Sequence, residues 1–318
     1  MAATVSRGEN FSAHLLQEIF SKVKGKSSVA RLCGQEPIPF NGIKEFTFSM
    51  DSEIDIVAEN GAKSNGGATV GAVTIVPIKV EYGARVSDEF LYASDEEAIS
   101  ILASWTDGFQ KKLAKGLDLM AFHGINPRTG SSSLVIGNNH FDYQVPAGNK
   151  VTYDGTAPDD NVDAALGKIA AAGYEANGIV IAPAMRDAIA ALKVNGARKY
   201  PEFAWGATPE NLGQMKLDSN ITVSANSSLD RAIVGDFQNA FKWGMAKDLG
   251  LEVIEYGNPD NDATLGDLKG HNQVYLRSEA YLGWGILDPY AFALIAAASG
   301  GETGTTGATG ATGETTNG

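Results

Sequence analysis

The sequence predicts an α+β fold, and three features carry that prediction. Residues 44–58 and 72–86 alternate apolar and polar side chains on either side of a Gly- and Asn-rich stretch, which is typical of a long β-hairpin. About thirty residues after position 93 have the three- and four-residue apolar spacing of a helix. The second half alternates short helices and strands before two long strands, so helix and sheet are mixed along the chain.

The N-terminal segment, residues 1–43, is predicted to be an extended arm with one short helix. The helix is indicated by a one-sided stripe of apolar residues four apart: Phe11, Leu15, Ile19 and Val23. A basic cluster follows in this otherwise acidic chain: Lys22, Lys24, Lys26 and Arg31. We interpret the cluster as a solvated face beside the helix; contact with nucleic acid or an acidic partner is the alternative.

The hairpin is predicted over residues 44–86, which is long for a two-stranded ribbon. Its outgoing strand is expected to reach Ile56, and Val76 and Pro77 indicate an edge or a bulge in a single return strand. Such a ribbon is marginally stable alone and its edges are open to pairing, so a stabilising partner is needed. The candidate interaction residues lie at the tip: Asn60, Gly61, Lys63, Asn65, Gly66 and Gly67.

The clearest helix is predicted from Ser94 to His123. Ser94 and Glu97 have capping-box spacing, and Gly124 offers a C-cap. At 1.5 Å per residue, this helix is about 40–45 Å long. Its apolar face is formed by Ala98, Leu102, Trp105, Phe109, Leu113, Leu117 and Met120.

The region from about residue 130 alternates between helical and strand patterns. A helix is predicted within 160–178, followed by the buried strand GIVIAP and a second helix that Pro183 opens and Asn195-Gly196 ends. The segments NITVSAN and RAIVGDF are predicted to be strands, and 240–257 and 272–288 to be two long strands.

The C-terminal segment, residues 300–318, is predicted to be a flexible Gly/Thr-rich tail. Glycine recurs at every third position from Gly301 to Gly313, as it does in collagen. The repeat has only about five triplets and no proline in the other two positions. A flexible tail or linker is therefore the preferred interpretation, with a collagen-like segment as the alternative.

Composition argues against several classes of function. The net charge of −13 argues against a protein that grips duplex DNA through its phosphates. Cys33 is the only cysteine, which excludes an internal disulfide or a thiolate metal cluster. No segment approaches the roughly eighteen apolar residues that span a bilayer. The four histidines lack metal-ligand spacing: His14, His123, His140 and His271. We predict a soluble protein that is not an enzyme, with no catalytic constellation, no cofactor and no metal site.

Three stretches carry a resemblance to a known family. They are AIVGDFQNAFKWGMAKDLGLEVIEYG, the later NQVYLRSEAYLGWGILDPYAFALI, and GIVIAPAMRDAIAALKVNGARKYPEF. Together with the order of arm, hairpin and long helix, they resemble the major capsid proteins of tailed bacteriophages with the HK97-type fold. The resemblance covers about residues 1–299. The residues of the second stretch that match the family pattern are Arg277, Glu279, Asp288, Pro289 and Phe292.

The resemblance implies an HK97-like domain organisation. The hairpin is then the extended loop (E-loop), which lies over a neighbouring subunit and is stabilised by it. The long helix is the spine of a peripheral domain. The implied segments are the arm 1–43, the E-loop 44–86, the peripheral domain 87–129 and 241–284, the axial domain 130–240 and 285–299, and the tail 300–318.

The resemblance also implies a function and partners. Copies of the chain would form pentamers and hexamers of an icosahedral shell around double-stranded phage DNA, without sequence-specific DNA binding and without a membrane. The implied location is the virion, assembled in the host bacterial cytoplasm, with a portal and a decoration protein as further partners. Because the arm begins at Met1 with no room for an N-terminal scaffolding domain, a separate scaffolding protein is expected.

Some relatives join a hairpin lysine covalently to an asparagine of a neighbour. Lys63 and Asn272 are the pair that this sequence offers, with noncovalent assembly as the alternative. Two other functions stay open: an encapsulin-like bacterial compartment that holds cargo enzymes, and an unrelated soluble enzyme or ligand-binding domain.

Overall fold

The computed structural model describes residues 27–50, 52–89, 95–225 and 229–297. The predicted N-terminal helix, the capping residue Ser94 and the Gly/Thr tail lie outside these residues. The helices are α1 Ser28–Leu32, α2 Asp95–His123, α3 Phe141–Gln144, α4 Pro158–Ala171 and α5 Pro183–Ala191. The strands are β1 Ile43–Met50, β2 Ala68–Ile75, β3 Ile78–Ser87, β4 Lys150–Thr152, β5 Gly178–Ile181, β6 Lys193–Val194, β7 Ala197–Arg198, β8 Asn211–Leu212, β9 Met215–Ser219, β10 Asp230–Gly235, β11 Phe241–Ile254, β12 Gln273–Ile286 and β13 Phe292–Ala296.

A six-stranded mixed sheet organises the region between α2 and β11. Its strand order is β4-β13-β10-β5-β9-β8, and β13 returns from the end of the chain to lie between β4 and β10. The four residues of β5 are all buried, as the apolar run GIVI predicts. One face packs against α4 and α5 through Val162, Ile169, Ile179, Met185 and Ile189.

A three-stranded antiparallel sheet, β11-β12-β3, supports the long helix α2. Trp105 of α2 donates its indole N–H to Ser278 Oγ at 2.9 Å, and its ring lies 5.4 Å from that of Tyr82 on β3. A cluster of buried phenylalanine rings packs between this part of the protein and the six-stranded sheet: Phe141, Phe237, Phe241 and Phe292. Because these rings come from both parts, the two sheets share one core.

Several predicted elements are confirmed. Helix α2 ends at His123, and Gly124 follows it with φ of +65°. Pro183 is the first residue of α5, where its missing N–H costs nothing. The two long strands β11 and β12 have 14 residues each and pair antiparallel.

The return strand of the hairpin is not a single strand with a bulge. β2 ends at Ile75 and pairs with β1, whereas β3 starts at Ile78 and pairs with β12. Proline has no N–H for a ladder, so the chain leaves one sheet at Pro77 and enters another. The outgoing strand ends at Met50 rather than continuing to Ile56.

Two predictions in the second half are wrong. The segment NITVSAN forms a 3-10 turn at Ile221–Ser224, begun by the Asn220 side chain accepting the Thr222 N–H, and the strand β9 lies just before it. Helix α5 ends at Ala191, before Asn195-Gly196. These two residues have φ of +53° and +83° and form the two-residue turn between β6 and β7.

Candidate assembly surface

The β1–β2 hairpin exposes an apolar face. Alternate residues of a strand share one face, so Phe46, Phe48 and Met50 lie together, paired with Ala72, Val70 and Ala68 on β2. The first three are 72%, 61% and 74% exposed. Single exposed apolar residues are ordinary on a protein surface, but a contiguous stripe along a strand pair indicates an interaction surface.

The base of the hairpin is anchored in the body. Ile75 is buried and packs on β12 where glycine leaves space for it: a Cβ on Gly285 would lie 2.7 Å from Ile75 Cγ1. Lys242 of β11 bridges Glu45 of β1 at 3.2 Å and Glu36 at 3.0 Å, and the hydrogen bond to Glu36 raises the pKa of Lys242. The hairpin is therefore fixed at one end and projects at the other.

The tip of the hairpin is an exposed loop, residues 51–67, whose described residues are all exposed. It contains all six predicted tip residues: Asn60, Gly61, Lys63, Asn65, Gly66 and Gly67. Asn60 has φ of +67°, and Gly61 donates its N–H to Ala58 O at 2.8 Å. Lys63 makes no ion pair with any residue that the structure describes. Ile54 and Ile56, both 95% exposed, lie on this loop and extend its apolar surface.

A second loop, residues 255–272, connects β11 and β12 and is organised by Arg85 of β3. The Arg85 guanidinium donates to Asp260 Oδ1 at 2.6 Å, to Oδ2 at 2.9 Å and to Gly266 O at 2.8 Å. This pairing lowers the pKa of Asp260 to about 2. Asn272, the proposed cross-link partner of Lys63, is exposed at the end of this loop with φ of +51°. Within one chain, Lys63 and Asn272 belong to different elements.

Asp118, in the C-terminal part of α2, ties the start of the described chain to the long helix. Its carboxylate is buried and accepts hydrogen bonds from Ser27 Oγ, Ser28 N, Val29 N, Asn220 Nδ2 and Thr222 Oγ1. The two backbone N–H groups belong to the first turn of α1, which has no intrahelical acceptor for them. Burial raises the pKa of Asp118 to about 6.

One cluster of ionisable groups could not be predicted from the spacing of residues in the sequence. The structure places His123 beside Asp142 and Asp230, which lie 19 and 107 positions further along the chain. No motif relates these positions, because they meet only when α2, α3 and β10 pack. Of the other histidines, His140 precedes α3, His271 is exposed before β12, and His14 lies outside the described residues.

One family model matches most of the chain. The model of the Phage capsid family matches residues 12–297. A solved chain from Mycobacterium phage Ogopogo is 29% identical with a TM-score of 0.73, covering 86% of this chain and 92% of that chain. A chain from Gordonia phage Cozz is 25% identical with a TM-score of 0.71, covering 86% and 87%.

A more distant match shows the fold alone. A chain from the capsid of a native GTA particle is 15% identical with a TM-score of 0.62, covering 86% of this chain and 90% of that chain. The search of curated proteins finds no significant match. Within the described part of the chain, no helix combines the length and apolar character needed to cross a membrane.

Proposed function

This chain belongs to the phage capsid family, and we propose that many copies of it close into the icosahedral shell that encloses the double-stranded DNA of the phage. The protein is a major capsid protein with the HK97-type fold. The observation that supports the assembly proposal best is the exposed apolar face of the β1–β2 hairpin. No element in the described part of the chain covers this face, which leaves it open to a neighbouring copy.

The assembly mechanism that we propose is the addition of weak, repeated contacts. Burying a phenylalanine side chain stabilises a contact by about 1.5–3 kcal/mol. Phe46 and Phe48 on each copy would contribute such contacts to a neighbouring subunit, and closed symmetry repeats them throughout the shell. The glycines of the tip, among them Gly61, Gly66 and Gly67, would let the loop adopt different conformations in pentamers and hexamers.

The domain assignments are part of this proposal. The E-loop is assigned to 44–86, the peripheral domain to 87–129 and 241–284, and the axial domain to 130–240 and 285–299. The three-stranded sheet and α2 then belong chiefly to the peripheral domain. The six-stranded sheet belongs to the axial domain.

The proposed partners are other copies of the chain, a scaffolding protein, a portal and a decoration protein. The proposed role is structural, in the virion, after assembly in the host cytoplasm. DNA would be enclosed without sequence-specific contacts, and the net charge of −13 suits a container that does not adhere to its contents. Between neighbours, Lys63 and Asn272 are the candidate cross-link pair, and an SDS gel of assembled particles distinguishes a covalent ladder from noncovalent assembly.

An encapsulin-like compartment is the weaker alternative. It would use the same kind of fold for a shell that holds enzymes. The family match and the similarity to phage chains at 25–29% identity favour the phage capsid.

The hairpin face offers a direct test of the assembly mechanism. We expect Phe48→Ser to leave the subunit folded, because Phe48 is exposed in the single chain, and to reduce shell yield at least tenfold. Each subunit then loses about 2 kcal/mol of contact energy, and the loss is repeated at every copy. Shell yield is measured by sedimentation and negative-stain imaging of the protein expressed with its scaffold gene.

The control for this test is Thr47→Ser, on the same strand but the opposite face. It should assemble as the wild type does. Unchanged shell yield for Phe48→Ser, with circular dichroism showing an intact fold, would contradict the proposed role of the hairpin face. It would not contradict membership of the family.

A further inference from the structure

A buried cluster of one histidine and two aspartates lies where three elements meet. His123 is the last residue of α2, Asp142 lies on α3, and Asp230 is the first residue of β10. One ligand atom from each residue can be chosen so that all three lie within 4.8 Å of one another. The side chains of His123 and Asp230 are only 4% and 9% exposed, whereas that of Asp142 is 32% exposed and opens one side of the cluster to solvent.

The hydrogen bond of His123 Nε2 shows that this ring nitrogen carries a proton. His123 Nε2 lies 2.8 Å from the carbonyl oxygen of Thr222. A carbonyl oxygen only accepts, so Nε2 carries the proton, and in a neutral ring Nδ1 then carries a lone pair. Thr222 is itself held in place, because its N–H is donated to Asn220 Oδ1 and its hydroxyl to Asp118.

The other ring nitrogen of His123, Nδ1, faces two carboxylates. Nδ1 lies 2.8 Å from Asp142 Oδ2 and 3.9 Å from Asp230 Oδ2. A lone pair on Nδ1 would be repelled by these carboxylates, so the position takes either a proton, hydrogen-bonded to Asp142, or a metal ion in its place. The ammonium group of Lys150 is also close, but it donates to the backbone oxygen of Asp142 and not to the Asp142 carboxylate.

We propose that His123, Asp142 and Asp230 bind one divalent metal ion of the Zn²⁺ or Mn²⁺ class. One imidazole nitrogen and two carboxylate oxygens are a mixed donor set that suits these ions better than Ca²⁺ or Mg²⁺, which prefer oxygen alone. Histidines that bind metals usually donate their other ring N–H to a carbonyl or carboxylate oxygen, which fixes the tautomer and the ring orientation. A neutral histidine and two carboxylates carry a charge of −2, which a divalent ion balances.

The role of the ion follows from the three elements that it joins. It clamps the C-terminal end of the long helix to α3 and to the start of β10, an interior strand of the six-stranded sheet. It thereby ties together the two parts of the chain that share the phenylalanine core. The exposed side, at Asp142, gives the ion a route of entry and lets water complete its coordination.

The test uses the full chain, unassembled, freed of metal with EDTA and exchanged into metal-free buffer at pH 7. MnCl₂ is added, binding is followed by the loss of the electron paramagnetic resonance signal of free Mn²⁺, and ZnCl₂ is tested as a competitor. We expect saturation at one ion per chain and a rise of several degrees in the midpoint of thermal unfolding. Asp142→Asn should weaken binding at least tenfold, and Asp163→Asn, an exposed acid on α4, should not change it.

A second pair of variants checks that a loss of binding does not come from misfolding. His123→Gln should abolish the saturable binding, whereas His271→Gln, at an exposed histidine, should retain it. Absence of saturable Mn²⁺ or Zn²⁺ binding to the wild type would overturn the proposal, and so would equal binding by wild type and folded Asp142→Asn. If no metal binds and lowering the pH stabilises the metal-free wild type but not His123→Gln, a proton on Nδ1 occupies the position instead, and the proposal is wrong.

Discussion

At the scale of single residues, the buried carboxylate of Asp118 holds two distant parts of the chain together. All five groups around it are donors, so a carboxylate, which only accepts, matches them and an amide does not. Its pKa near 6 means that the group is charged at neutral pH and that these donors replace only part of the hydration that burial removes. Asp118 thus fixes α1 against α2, and none of the hydrogen-bond donors that the structure describes around it is basic.

We expect Asp118→Asn to destabilise the unassembled subunit. The amide nitrogen would face backbone N–H groups of α1 and leave buried donors without an acceptor, which lowers the free energy of unfolding by about 2 kcal/mol or more. Urea unfolding at pH 7.5 measures this difference. Asp163→Asn, at an exposed position, serves as the control and should stay within about 0.5 kcal/mol of the wild type.

The pH dependence gives a second measure of the same residue. Because folding raises the pKa of Asp118, this group stabilises the fold most below pH 4, and its contribution decreases as the pH rises towards 6. The wild type should therefore lose stability relative to Asp118→Asn across this window. A difference between the two proteins that is constant from pH 4 to pH 7 would contradict the buried carboxylate as described.

Residues that meet only in three dimensions were the ones that sequence reasoning could not find. The donors of Asp118 lie some 90 residues before it and 100 after it. The cluster around His123 also depends on tertiary structure, because Asp230 lies beside His123 only once β10 has taken its place in the six-stranded sheet. The hairpin tip was predictable, because a Gly- and Asn-rich stretch between two alternating segments is a local signal.

At the scale of elements, Arg85 orders the 255–272 loop in the way that a bound metal ion orders many acidic loops. The segment NPDNDATLG lacks the glycine and glutamate positions of a calcium loop, and its carboxylate Asp260 is instead paired with the guanidinium. The Arg85 side chain is only 7% exposed, so β3 and the loop close around it. The loop is therefore ordered by contacts within the chain.

We expect Arg85→Met to loosen this loop while leaving the body of the protein folded. The methionine fills part of the space but donates no hydrogen bond to Asp260, Asn258 or Gly266. Limited proteolysis should then cut within residues 255–272 at least several times faster than in the wild type. Arg128→Met, at an exposed arginine after α2, is the control, and equal cleavage rates for the two variants would contradict the role of Arg85.

The elements themselves were predictable where the pattern was long and local. Helix α2 and strands β11 and β12 follow directly from their apolar spacing. The misassigned segments were short. NITVSAN has strand-like composition but begins with an Asn that caps a turn, and the two sides of Pro77 look continuous in sequence although they pair with different partners.

At the scale of the whole molecule, the order of segments was more informative than any single motif. The resemblance rested on stretches near the C-terminus together with the arm, hairpin and long helix, and the family match over residues 12–297 confirmed it. Sheet topology was beyond reach of the sequence, because β13 inserts between β4 and β10 through contacts that no local pattern specifies.

The most direct test of the central claim is the size of the particles that the protein forms. The protein is expressed with and without the proposed scaffolding protein, sedimented, and imaged by negative stain. Sixty copies of the 33.4 kDa chain weigh about 2 MDa, and closed angular shells of at least this mass are expected when the scaffold is present. Uniform sixty-copy particles filled with cargo protein would favour a compartment instead. A monomer or small oligomer that persists with the scaffold present would contradict the account.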